Sequence, residues 1–116
     1  MSFLKELKCV PCRGGEPPLS EGKIQEMKPK VPQWNIVERQ NVERLERVFR
    51  FKNFQEALRF TNEVGKLAQE EEHHPKIVTQ WGRVKVSWFT HKIKGLHKND
   101  FIMAAKTNDL YKKNSF

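Results

Sequence analysis

Long apolar runs are missing from this 116-residue chain. The longest clear one is the five-residue Phe101-Ile102-Met103-Ala104-Ala105, far short of the ~20 residues a membrane-spanning helix needs. Met1 to Lys8 alternate apolar and charged side chains and lack the apolar block of a secretory signal peptide. No membrane association is expected, and the cytoplasm is the expected location. Cysteine is scarce as well: the chain holds two, in Cys9-Val10-Pro11-Cys12. One C-x-x-C pair supplies half of a tetrahedral zinc site, and no second pair exists. A thioredoxin-like redox pair would follow a strand and open a helix, yet Arg13-Gly14-Gly15-Glu16-Pro17-Pro18 comes next and breaks one. Reduced thiols on a loop are the simpler reading. Internal repeats, low-complexity runs, zinc-finger spacing, helix-turn-helix pattern and an aromatic RNA platform are all absent.

What remains is the composition of one soluble globular domain, 37% hydrophobic and 31% charged. At this length a chain buries roughly two-thirds of its unfolded surface, which sustains one modest core. The net charge of +8 is unevenly spread. Residues 1–75 hold 13 Lys/Arg against 12 Asp/Glu, whereas residues 76–116 hold 9 against 2. Such a basic third is able to meet nucleic acid or an anionic ligand. Without an accompanying nucleic-acid signature, a solvated lysine-rich surface is preferred and no nucleic-acid partner is expected.

Residues 1–19 read as an irregular Gly/Pro-rich arm carrying the cysteines, and residues 20–116 as a single domain. Ser20 caps a short helix from Glu21 to Met27, ended by Pro29 and Pro32. Trp34 to Arg39 and Arg44 to Phe51 form a hairpin turning over Gln40 to Glu43, with Leu45, Phe49 and Phe51 on one face. Asn53-Phe54-Gln55-Glu56 fits a capping box opening the clearest helix. Its expected apolar stripe is Phe54, Ala57, Leu58, Thr61, Val64 and Ala68, and Pro75 ends it near His73. Ile77 to Trp81 and Val84 to His91 make a second hairpin turning at Gly82-Arg83. A last helix spans about Lys98 to Lys112. The order α-β-β-α-β-β-α, with hairpins and no strand–helix–strand unit, predicts an α+β fold: a four-stranded antiparallel sheet with three helices on one face.

Three of the four histidines, His73, His74 and His91, fall within one short stretch. Histidine is the side chain whose proton moves near neutral pH, so the group suggests proton-transfer chemistry. His73 and His74 lie at a helix C-terminus, where free carbonyls favour a protonated ring. His91 ends a strand that pairs with the one leaving Pro75. Asp100, in the first turn of the last helix, adds an orienting carboxylate. The set offers acid and base without a nucleophile, pointing to elimination rather than acyl transfer. Singly, each residue is also explained as an ordinary helix-end or first-turn side chain. Adjacent histidines at a helix end rarely aim at one ion, so no metal is expected.

His73-His74-Pro75, Trp81-Gly82, Thr90-His91, Gly95-Leu96 and Asp100 together resemble the pterin-4a-carbinolamine dehydratase family. The run from His91 to Ala105 looks most like its bacterial branch. The likeness covers about residues 20–110. It implies the same α+β fold and the dehydration of 4a-hydroxytetrahydropterin to quinonoid dihydropterin plus water. That reaction recycles the pterin cofactor of aromatic amino acid hydroxylases. By resemblance His73, His74 and His91 are the catalytic acid and base trio, and Asp100 orients His91 or a water. Pterin contacts would come from Glu72, His73, His74, Phe89, Thr90, His91 and Lys92, several through backbone. The family uses neither metal nor organic cofactor, and its members are homodimers or homotetramers. One position departs: the family often carries a carboxylate four residues before the first histidine, and here it is Gln69. Gln69 can still hydrogen-bond a pterin amine, with turnover reduced. The alternatives are a low-activity pterin-binding or partner-binding module of the same fold, or a basic nucleic-acid binder. The role some animal members play as dimerisation partners of a transcription factor is set aside for a bacterial-type sequence.

Overall fold

Local chemistry fixes the elements in turn. The structure, a computed structural model, describes residues 4–10 and 17–114; Cys12 lies outside them. The Ser20 hydroxyl accepts from the Lys23 N–H at 3.3 Å, and α1 runs Glu21–Met27 into a 3₁₀ turn over Lys28–Lys30. Strands β1 (Asn35–Arg39) and β2 (Val42–Arg50) join through Gln40-Asn41. Both turn residues have positive φ, 54° and 63°, the hand that matches strand twist in a two-residue hairpin. This tight turn lets β2 begin two residues before the expected Arg44.

Helix α2 spans Phe54–Glu71, its first turn closed by Asn53 Oδ1 accepting the Glu56 N–H at 2.8 Å. The Glu56 carboxylate is taken by Arg59 at 2.7 Å. The buried stripe is Ala57, Phe60, Val64 and Ala68. Phe54 and Leu58, expected inside, are each 42% exposed. Leu58 lies one residue, about 100°, round the helix from Ala57, which carries it off the face that Phe60 fills. Strands β3 (Lys76–Gln80) and β4 (Arg83–Trp88) turn through Trp81-Gly82. Gly82 is required there: its φ is 70°, and a Cβ would press to 3.2 Å from the Phe51 carbonyl. A 3₁₀ turn over His91–Ile93 leads to α3, Lys98–Lys113.

All pairings are antiparallel, in the order β1-β2-β4-β3. Helices α2 and α3 pack on the face carrying Leu45, Phe49, Val84, Val86 and Trp88, all essentially inaccessible, as the two-residue strand period demands. Helix α1 adds Ile24 and Met27 to the same core. The fold is therefore the expected α+β architecture. Trp34, Phe49, Phe60 and Tyr111 interlock with ring centroids 4.7–5.9 Å apart, a tilted and edge-on packing that aromatic quadrupoles favour.

Two further departures from the sequence reading reach the site and its surroundings. Strand β4 stops at Trp88 rather than His91, because Thr90 leaves the ladder to bridge Gly95, its N–H donating to the Gly95 carbonyl at 2.9 Å. The arm, read as irregular, is partly built into the domain: Leu4–Glu6 form a 3₁₀ turn against α3, and Leu4 joins the core.

Candidate active site

Where α2 ends, Glu72 adopts the left-handed conformation (φ 54°), a strained choice for a residue with a Cβ. Its N–H reaches the Ala68 and Gln69 carbonyls, and the His73 N–H donates to Ala68 at 3.1 Å. After this reversal His73 reaches α3, while His74 folds back against Gln69 of α2. The helix therefore closes two residues before His73, and the histidines stand on its exit.

The His73 ring lies parallel to Trp88, 5.7 Å between centroids and 9° between planes. Its Nε2 is 2.6 Å from Asp100 Oδ1, and Asp100 is wholly buried. The other carboxylate oxygen accepts from the Thr90 hydroxyl at 2.8 Å and the His97 N–H at 2.9 Å. Asp100 is also the third residue of α3, closing a capping box with His97. One carboxylate thus holds the helix start, the Thr90 bridge and His73. The sequence reading gave Asp100 to His91 or a water; the carboxylate is instead spent on His73. With Asp100 accepting, His73 carries its proton on Nε2 and leaves Nδ1 as the free nitrogen.

His74 is exposed, and its Nε2 sits 3.2 Å from Gln69 Oε1. His91, also exposed, opens the 3₁₀ turn and rests on Phe89 at 4.4 Å. Its position depends on Gly95, where a Cβ would lie 2.8 Å from Pro18 Cβ; a bare α-carbon lets the two segments touch.

These pieces surround a cavity of about 350 Å³, within the range of small-molecule sites. Glu72, His73, His74, Phe89, Thr90, His91 and Lys92 line it. Gln69 and Asp100 stand behind the lining, acting through His74 and His73. Four further residues line it, Cys9, Val10, Glu71 and Asn99; of these, sequence alone marks only Glu71, by its place beside the histidines. Asn99, itself buried, accepts the Val10 N–H at 3.0 Å and donates to the Val10 carbonyl at 2.7 Å. Glu71 accepts the Cys9 N–H at 2.9 Å. The arm is therefore clamped as a wall of the cavity. Burial pushes the Cys9 thiol up to about 12, with the charges of Glu71 and Asp100 acting the same way and Lys106 opposing them. Such a thiol is neutral at physiological pH and is a poor redox or metal ligand. Among the described residues, no three His, Cys, Asp or Glu side chains group as a metal site, and no helix is long and apolar enough to cross a membrane.

Residues 17–110 match the family model described as pterin 4 alpha carbinolamine dehydratase. A protein of Nitrosococcus oceani is 56% identical, the alignment covering 97% of this chain and 99% of the relative. One of Chlorobium luteolum is 50% identical over 97% and 99% of the two chains. Both bear the provisional name pterin-4-alpha-carbinolamine dehydratase. A crystal structure titled transcriptional coactivator/pterin dehydratase, from Brucella melitensis, superposes with a TM-score of 0.72 at 29% identity, covering 80% of this chain and 97% of the other.

Proposed function

The chain belongs to the pterin 4 alpha carbinolamine dehydratase family, and we propose that its histidine-lined cavity dehydrates 4a-hydroxytetrahydropterin to quinonoid dihydropterin and water. The observation that carries this reading is the buried Asp100–His73 pair facing a cavity that two further histidines enter.

The reaction removes a pterin N–H proton and protonates the departing hydroxyl. Because Asp100 holds the Nε2 proton, the free Nδ1 of His73 is the nitrogen able to accept a proton, and the carboxylate stabilises the imidazolium so formed. His74 and His91 are exposed and exchange protons with water, which suits them to deliver one to the hydroxyl. Glu72, Phe89, Thr90 and Lys92 shape the walls against the bicycle. This chemistry calls for neither metal nor organic cofactor. Gln69 supplies an acceptor to His74 without a charge, so His74 lacks the electrostatic support a carboxylate would give and turnover is slowed; the intact set of His73, His74, His91 and Asp100 favours an enzyme over an inactive binding module. On this reading the activity recycles the pterin of an aromatic amino acid hydroxylase, and the cytoplasm is its proposed location. A homodimer or homotetramer would cover the exposed Phe54 and Leu58, four residues apart on α2, and Trp81 at the end of β3.

The test is 4a-hydroxytetrahydropterin dehydration by wild type, His74→Ala and Gln69→Glu. Acceleration by the wild type, lost in His74→Ala and increased in Gln69→Glu, is expected. A folded wild type that gives only the spontaneous rate would sink the proposal.

A further inference from the structure

A second cavity, of about 440 Å³, shares two walls with the first. Gln40, Val42, Arg44, Phe89, His91 and Lys94 line it, and Phe89 and His91 also line the histidine cavity. Phe89 and His91 thus border both cavities. The second chamber carries Arg44 and Lys94 as fixed positive charges, His91 as a titratable one, and no carboxylate among its described lining residues.

Arg44 is only 7% exposed. Its guanidinium stacks over Phe89, 4.1 Å from the ring centroid, and one Nη2 proton reaches the Arg39 carbonyl at 3.5 Å. Nε is buried with no partner among the described residues. Nor does any described carboxylate pair with Arg44. The acidic neighbour two residues along the same strand face, Glu46, is already occupied by Arg39 at 3.0 Å and by the Ser87 hydroxyl at 2.8 Å. A guanidinium largely withdrawn from water, with no carboxylate partner among the described residues, gains from an anion placed against it. Its planar fork suits a phosphate or carboxylate. Lys94, at the end of the 3₁₀ turn, adds a flexible ammonium at the rim.

We infer that this chamber is an anion subsite, and that the substrate is a pterin whose side chain ends in a phosphate or a carboxylate. The inference rests on the pterin reading of the first cavity. Phe89 and His91 border both cavities, so a side chain carried on the bicycle beside them lies next to the basic lining of the second.

Binding of three probes to the full chain tests it: 6-hydroxymethylpterin, its phosphate ester, and pteroylglutamate. The phosphate ester or pteroylglutamate is expected to bind about tenfold tighter than the neutral pterin, the scale of one charge-assisted hydrogen bond. Whichever of the two gains names the anion. The gain is expected to shrink with added salt and to disappear in Lys94→Asn and Arg44→Gln, while 6-hydroxymethylpterin binds those variants as it does wild type. Asparagine tolerates the left-handed backbone at 94, so Lys94→Asn decides the matter alone if Arg44→Gln fails to melt cooperatively. Equal affinity for all three probes would overturn the inference, as would a gain that survives the substitutions. Failure of every probe, including the neutral one, would overturn the pterin reading beneath it.

Discussion

His73 and Asp100, 27 residues apart in sequence, meet at 2.6 Å, and the carboxylate that receives the histidine also caps α3. An amide cannot reproduce this: if its oxygen serves Thr90 and His97, its NH₂ faces His73 and forces the ring's proton onto Nδ1. Asp100→Asn is therefore expected to lower dehydration kcat on the order of 100-fold and to destabilise the fold by about 1–3 kcal/mol. Single-turnover rates and urea melts measure the two effects separately. A rate within twofold of wild type would remove Asp100 from the chemistry.

Gly95→Ala places a methyl group 2.8 Å from Pro18 Cβ, a contact that has to be relieved by moving one segment. Overpacking of this kind costs about 1–3 kcal/mol. Because Gly95 also pairs with Thr90, the displacement reaches His91. Lower stability in urea together with reduced turnover is expected, and an unchanged melt would show that the Pro18 contact gives way freely.

Asn99→Ala removes both hydrogen bonds that hold Val10. The wall of the cavity loosens while the histidines keep their supports. KM is expected to rise several-fold with kcat nearly constant, and limited proteolysis near residue 10 to accelerate. Equal loss in kcat and kcat/KM would instead mean that Asn99 acts on the transition state.

Cys9 offers a test by pH. Raised from 9.0 to about 12 by burial first and by Glu71 and Asp100 next, its thiol stays protonated in the folded protein. The sign follows from linkage: below about pH 9 both folded and unfolded thiols hold their protons and nothing is lost. Between pH 9 and 12 only the unfolded thiol ionises, so this region weakens as pH rises. In a Cys12→Ser background, iodoacetamide is expected to alkylate Cys9 much more slowly at pH 8 than a free cysteine, and faster in Glu71→Gln. A rate equal to that of a free thiol would show that the arm is detached from Glu71 and Asn99.

The fold was legible in the sequence wherever a local rule sufficed. Ser20 and Asn53 act within a few residues, and each caps the helix that its spacing predicts. Less legible was whatever long-range packing decides. Phe60 displaced Leu58 from the buried face of α2 because the stripe is set by the sheet it meets. His91 left its strand because Thr90 found Gly95. In the site, the histidine cluster was visible as composition and the resemblance supplied its residues. The pairing of Asp100 with His73 was not readable, since it depends on where α3 begins relative to the exit of α2. Nor was the clamp between Asn99 and Val10, whose members lie 89 residues apart.

The triple duty of Asp100 has a consequence for how the protein comes into being. Its three donors arrive from the exit of one helix, the end of a strand and the loop before another helix. The His97 bond forms within the start of α3 alone, whereas the His73 and Thr90 bonds wait for the other two elements to dock. The complete set of bonds on Asp100 is therefore expected to form only as the domain is completed, in the cooperative step usual for a chain of this size.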